Sequence, residues 1–134
     1  MPIKEAKAYI TCPVSHSQEK LHLLPQIQAT VESSGIKTFV FEIGGSPEEI
    51  FERDYQQLAS STLIIAEVSE TSHGVGIEIG LSYPLGLKRI LLIQSGNTIT
   101  KLAQGIPETI IIEYENPADM LEKLTRELSN PKYH

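Results

Sequence analysis

The stretch "TSHGVGIEIG" (71–80) sets small residues and one carboxylate, Glu78, directly after the apolar run "TLIIAEV". A strand-to-helix corner of this kind can seat an anion, because glycines let a ligand approach the exposed N–H groups at the helix start. Ser72 is placed to cap that helix, with Gly74 and Gly76 opening the approach. The same residues also suit a plain tight corner, and by themselves they leave both readings open. Glu78 falls in the first turns of the helix, where side chains lean toward the N-terminus, so its carboxylate points back at the corner. Val75, Ile77, Ile79 and Leu81 make the helix apolar nearly all round, which suggests that Glu78 is buried and needs a partner. The alternative is a Glu on a narrow exposed stripe, favoured by the helix dipole. Asp54 raises the same question, since its four-residue spacing from Ile50 and Leu58 puts it on a core-facing stripe. Taken alone, an Asp on the edge of an amphipathic face is more often a rim residue, but two inward-leaning carboxylates near one crevice are less easily dismissed.

Other chemistries find less support. "GVGIEIG" has G-x-G-x-x-x-G spacing and follows the third apolar run, so it is not a dinucleotide fingerprint, and no P-loop pattern is present. No Cys/His group has zinc spacing, so no metal is expected. Cys12 and His16 are near in sequence, but that nearness alone argues little for a catalytic pair; a buried small residue is the plainer reading of Cys12.

These residues must be positioned by an alternation of short apolar runs and longer amphipathic ones. The runs 6–12, 37–43, 62–68, 89–94 and 109–114 are short, β-branched or aromatic, and mostly continuous, as in strands covered on both faces. Between them the spacing predicts a helix over 17–34, kinked at Pro25, and one from Ser46 with Pro47 and Glu49 completing a capping box. A third starts near residue 74 and ends by Pro84 and Gly86. A short one occupies 97–104, and the last follows Asn116 and Pro117, with Leu121, Leu124 and Leu128 as its buried stripe. The expected fold is a single α/β domain over 1–134, a flavodoxin-like three-layer sandwich whose five parallel strands run in the order 2-1-3-4-5. Ligands in that fold bind beyond the carboxyl ends of strands 1 and 3, where "TCPVSHS" and "SETSHGVGIE" lie.

Composition sets outer bounds. The 134 residues suffice for one core, and 40% hydrophobic with 21% charged residues suits a globular protein. A formal net charge of -6, with the basic residues scattered, argues against a nucleic-acid surface. A lone cysteine, no apolar run near ~18 residues and no signal-like start lead to the expectation of a cytoplasmic protein with no membrane partner.

From Ile50 onward, "IFERDYQQLASSTLIIAEVSETSHGVGIEIGLSYPLGLKRILLI" resembles the nucleoside 2-deoxyribosyltransferases and the related 2'-deoxynucleoside 5'-phosphate N-hydrolases. The shared features are an Asp in the helix before the third strand, a run like V-A-E-V, then S-x-G-V-G-x-E-x-G. "AYITCPV" is similar to the family's Y-x-x-G-P loop. The resemblance implies Glu78 as nucleophile at the anomeric carbon, Asp54 as the acid that serves the leaving base, and Tyr9 with its hydroxyl near the nucleophile. It further implies Ser72 with the N–H groups of Gly74 and Gly76 on a 5'-phosphate, and Cys12 and Pro13 in the substrate loop. The family's glycine is Cys12 here, and the hydrolase loop G-S-[IL]-R is replaced by "CPVS", leaving no arginine there.

The implied activity is cleavage of the N-glycosidic bond of a (deoxy)nucleoside 5'-monophosphate, without a metal or redox cofactor, by a homo-oligomer of at least two subunits. The alternatives are a transferase that passes the sugar to another base, a nucleotide-binding module without turnover, and a regulatory domain of the same fold without a nucleotide site.

Overall fold

Five short apolar runs form one parallel sheet in the computed structural model, which describes residues 4–14 and 17–134. The strands are β1 (Lys7–Thr11), β2 (Lys37–Val40), β3 (Leu63–Glu67), β4 (Lys88–Gln94) and β5 (Thr109–Tyr114). All pair in parallel in the order β2-β1-β3-β4-β5, as the sequence leads one to expect. The helices are α1 (Leu24–Ser33), α2 (Pro47–Ala59), α3 (His73–Ser82), α4 (Lys101–Gln104) and α5 (Pro117–Leu128).

Strand alternation divides the core into two layers. Ala8, Ile10, Leu63, Ile65, Ile90 and Leu92 pack with α1 and α5 residues such as Ile27, Val31, Leu124 and Leu128. Tyr9, Ile64, Ala66 and Leu91 face the other way, against Leu58 of α2, Val75 and Ile79 of α3 and Ala103 of α4. The order reverses between β1 and β3, which opens a crevice at their carboxyl ends, between α2 and α3.

The helix starts follow their capping chemistry. Ser46 accepts from the Glu49 N–H at 3.1 Å while the Glu49 carboxylate accepts from the Ser46 N–H at 3.1 Å. Asn116 caps α5 through the Asp119 N–H at 2.9 Å. Pro25 does not kink a long helix: a 3-10 turn over Glu19–Leu23 precedes α1, and Pro25 sits in the first turn of α1, where no N–H is needed. In α5 the buried stripe is Met120, Leu124 and Leu128, with Leu121 only half-buried.

A cation lies inside the layer formed by α3. The Arg89 guanidinium, 1% exposed, donates to Thr109 Oγ1 at 2.9 Å, Ser82 Oγ at 3.0 Å, the Leu87 carbonyl at 2.8 Å and the Pro107 carbonyl. A buried cation is tolerated when its donors are met in this way, and these bonds join the end of α3 to the starts of β4 and β5.

Candidate active site

Glu78 is buried on α3, yet it lines a cleft of about 480 Å³ between α2 and α3. Its position follows from the helix period. Glu78 stands four residues after Gly74, on the same face, and both border the cleft. Each carboxylate oxygen takes a hydroxyl from β1: Oε1 accepts from Thr11 Oγ1 at 3.0 Å, and Oε2 accepts from Tyr9 Oη. Residues 9 and 11 alternate onto one face of the strand, so both hydroxyls reach the same side chain. Phe39, opposite Tyr9 in register, packs its ring 5.5 Å from the tyrosine ring and helps fix the phenol.

Burial dominates the electrostatics. It pushes the Glu78 carboxyl up to about 7, against the Tyr9 and Thr11 hydrogen bonds that pull it down, and the Asp54 charge adds to the rise. Burial likewise pushes the Tyr9 phenol well above its ordinary value, helped by Glu78 and then Asp54, so Tyr9 donates and does not ionise. Asp54 lines the same cleft from α2, with its side chain 17% exposed and Arg53 Nε 3.5 Å from Oδ1. Arg53 in turn donates to the Glu42 carbonyl at 2.8 Å and the Gly44 carbonyl at 3.3 Å, tying α2 to the loop that enters it. Gly44 and Gly45 turn that loop with φ of +108° and +110°, a conformation that side-chain-bearing residues avoid. Asp54 thereby reaches the crevice although it stands well inside its helix.

The remaining expected residues divide. Cys12 lines the cleft, and Ser72 and Gly74 border it at the start of α3, where Ser72 Oγ accepts from the Val75 N–H at 3.3 Å. Burial, with the charges of Glu67, Glu78 and Glu70, pushes the Cys12 thiol up to about 12, so it is a neutral wall and no nucleophile. His16 and Ser15 lie outside the described residues. Tyr9 sits beneath the cleft, fully buried, with its hydroxyl on Glu78 and within reach of the Asp54 charge. Pro13 is buried but does not line the cleft.

Gly76 lies elsewhere than expected. Two residues turn a helix by about 200°, so it faces a second, apolar cleft of about 300 Å³ toward Ile99 and Ala103. Its N–H is already given to the Ser72 carbonyl at 3.1 Å, as in any helix. It is therefore not a donor to a ligand beside Glu78.

Two residues escaped the sequence reading. Thr11 is one; its signal was its parity with Tyr9. The other is Glu67, fully buried at the end of β3, whose carboxylate accepts from the Ser69 N–H at 2.7 Å, Ser69 Oγ at 2.6 Å and Tyr114 Oη. Ser69 Oγ also accepts from the Gln94 N–H at 2.8 Å, so Glu67 pins the loop that delivers Ser72. Among the described residues no group of three or more His, Cys, Asp or Glu could hold a metal ion, and no helix is long and apolar enough to cross a membrane.

No protein-family model matches the chain. A protein of Thermofilum pendens assigned as a 2'-deoxynucleoside 5'-phosphate N-hydrolase is 26% identical over 131 residues, covering 88% of this chain and 92% of that one. The resemblance read from the sequence holds. The 5-hydroxymethyl-dUMP N-hydrolase of Mus musculus is 35% identical over 66 residues, which span 48% of this chain and 38% of the mouse protein. Among solved structures, the CMP N-glycosidase of Clostridium botulinum superposes with a TM-score of 0.70 at 24% identity, over 88% of this chain and 97% of that one. The N-glycosidase shares the α/β fold described above.

Proposed function

We propose that the chain cleaves the N-glycosidic bond of a (deoxy)nucleoside 5'-monophosphate through a glycosyl ester on Glu78. The observation that carries this reading is a buried carboxylate held between two hydroxyls and bordering a cleft that a second carboxylate, Asp54, also lines. In the first step a Glu78 oxygen bonds to the anomeric carbon as the bond to the base breaks; the base leaves with the electron pair and takes a proton from Asp54. In the second step water bonds to the anomeric carbon, the ester C–O bond breaks, and the water's proton passes to Asp54. The logic is that of a retaining glycosidase, in which two carboxyl groups flank an oxocarbenium-like centre. Ser72 and the first turn of α3, with Gly74 but not Gly76, would receive the 5'-phosphate.

A transferase differs only in the second acceptor, a base in place of water, and the likeness to deoxyribosyltransferases keeps it as the second reading. A binding module without turnover is the reading that Cys12 in place of glycine favours. One experiment separates the three. The protein is incubated with dCMP, dUMP, CMP and deoxycytidine, with and without adenine, and free base is read by chromatography. The hydrolase reading expects base from a monophosphate without adenine, at a kcat/KM that rises with pH through about 7 as Glu78 ionises. A new nucleoside formed only with adenine would favour the transferase, and binding with no base released would overturn both.

A second copy of the chain is the expected cover for the cleft mouth. Ile43, Phe51, Tyr55 and Ile77 all line it, and Phe51 and Ile77 are each 58% exposed. The rings of Phe51 and Tyr55 stack at 5.7 Å as one apolar plate on α2. Phe51→Glu is expected to convert a dimer or larger assembly to monomer in light scattering and to raise KM. A wild-type protein that is monomeric at micromolar concentration would contradict this.

A further inference from the structure

Thr11 is a buried hydroxyl, 1% exposed, on the strand face that also carries Tyr9. Its Oγ1 donates to Glu78 Oε1 at 3.0 Å, and the other oxygen of the same carboxylate takes the Tyr9 hydroxyl. We propose that Thr11 is a positioning residue for the reaction assigned above, holding Oε1 while Tyr9 holds Oε2 so that the carboxylate plane is fixed toward the cleft. The inference rests on that reaction for its catalytic part and on geometry alone for its structural part. A carboxylate held by one donor can pivot about its last torsion; a second donor, from a rigid central strand, removes that freedom. Both donors favour the charged form in a place where burial opposes it. They also stabilise the carboxylate as it leaves the glycosyl ester, so losing one slows the second step as well as the first.

The other groups around Glu78 do not duplicate this role. Tyr9 from β1 is already engaged with Oε2. Asp54 from α2 acts on Glu78 in the opposite sense, raising it, and Arg53 beside it lies against Asp54. Cys12, next along the chain, is a neutral thiol whose own rise reflects burial first and then the charges of Glu67, Glu78 and Glu70. Lys20 bears on the Cys12 thiol, drawing it down. Thr11 is thus the second of two groups that pull Glu78 toward ionisation.

The test compares wild type, Thr11→Val, which keeps the side-chain shape without the hydroxyl, and Thr11→Ser, which keeps the hydroxyl. Each is labelled with carbon-13 at the glutamate carboxyl, and Glu78 is identified by its loss in Glu78→Gln. A hydrogen bond to a charged group is strong enough to move a titration midpoint by about one pH unit. The expected result is a Glu78 midpoint about one unit higher in Thr11→Val, a return to within a few tenths in Thr11→Ser, and the same displacement in the acid limb of kcat/KM. Thr11→Val is also expected to lower kcat more than it changes KM. An unchanged Glu78 midpoint in folded Thr11→Val would overturn the proposal, as would failure of Thr11→Ser to restore it. Because the carboxyl signal is read without substrate, absence of base release in wild type would overturn the assigned reaction and leave the Thr11 result to stand or fall separately.

Discussion

Glu78→Gln is expected to reduce base release by at least about 10³-fold, with substrate binding retained. Glutamine keeps the shape and still meets the Tyr9 and Thr11 hydroxyls, which can rotate to suit an amide. What it loses is the ability to share a negative charge with a carbon that becomes cationic as the base departs, and no covalent ester can form. Loss of a nucleophile costs orders of magnitude because the remaining groups act on a bond that nothing attacks. Asp54 is not expected to take over, because it lines the cleft from α2 and serves there as the acid of the proposed reaction. Chromatography of free base, with binding of the same nucleotide followed by calorimetry, checks the prediction. A variant that keeps a tenth of the activity would remove Glu78 from the chemistry.

The same substitution is expected to stabilise the fold at pH 8. Burial raises the Glu78 carboxyl from 4.5 to about 7, so the folded chain holds this proton more tightly than the unfolded chain does. For a group raised on folding, the stabilising contribution is fully present below the unfolded value, near 4.5, and is lost as pH rises through about 7. At about 1.4 kcal/mol per unit, the wild type gives up on the order of 3 kcal/mol across that window. Glu78→Gln does not titrate and avoids the loss. Its Tm should exceed that of wild type by roughly 10 °C at pH 8, with the gap closing toward pH 4.5. Thermal melts across this range read the difference directly. Parallel curves for the two proteins would mean that Glu78 is not buried at a cost, and the raised acid limb expected for catalysis would lose its basis. An active carboxylate held against its own burial is a place where stability is given up for function.

How legible the site was in the sequence depended on whether a signal was local. Ser46, Pro47 and Glu49 announce α2 within four residues, and Asn116 with Pro117 announces α5, because a cap is made by neighbours in the chain. The parallel sheet was legible because apolar runs without alternation must be covered on both faces. Glu78 stood out because a charge in an apolar helix needs an explanation. Tyr9 had no local signal; it entered through resemblance alone, and its burial beneath Glu78 is a fact of strand register. Thr11 escaped because a threonine in a strand is ordinary, and its meaning depends on pointing the same way as Tyr9. Gly76 was grouped with Gly74 by sequence spacing, whereas helix rotation puts them on opposite faces. Pro25 reads equally as a kink or a helix start until the preceding turn is known. Glu67 looked like part of an apolar run, and its partner Tyr114 lies 47 residues away on another strand. Glu67 turns on a tertiary relation that no short window contains, whereas Thr11, Gly76 and Pro25 turn on strand parity, helix rotation and a neighbouring turn.

The central claim is double displacement at Glu78, and the stereochemistry of the product tests it most directly. The protein would be incubated with a deoxynucleoside 5'-monophosphate in dilute methanol, and the methyl glycoside examined by proton NMR. Two successive displacements at the anomeric carbon predict a methyl glycoside of the same configuration as the substrate. A product of inverted configuration would mean that the acceptor attacks directly, and would contradict a glycosyl ester on Glu78.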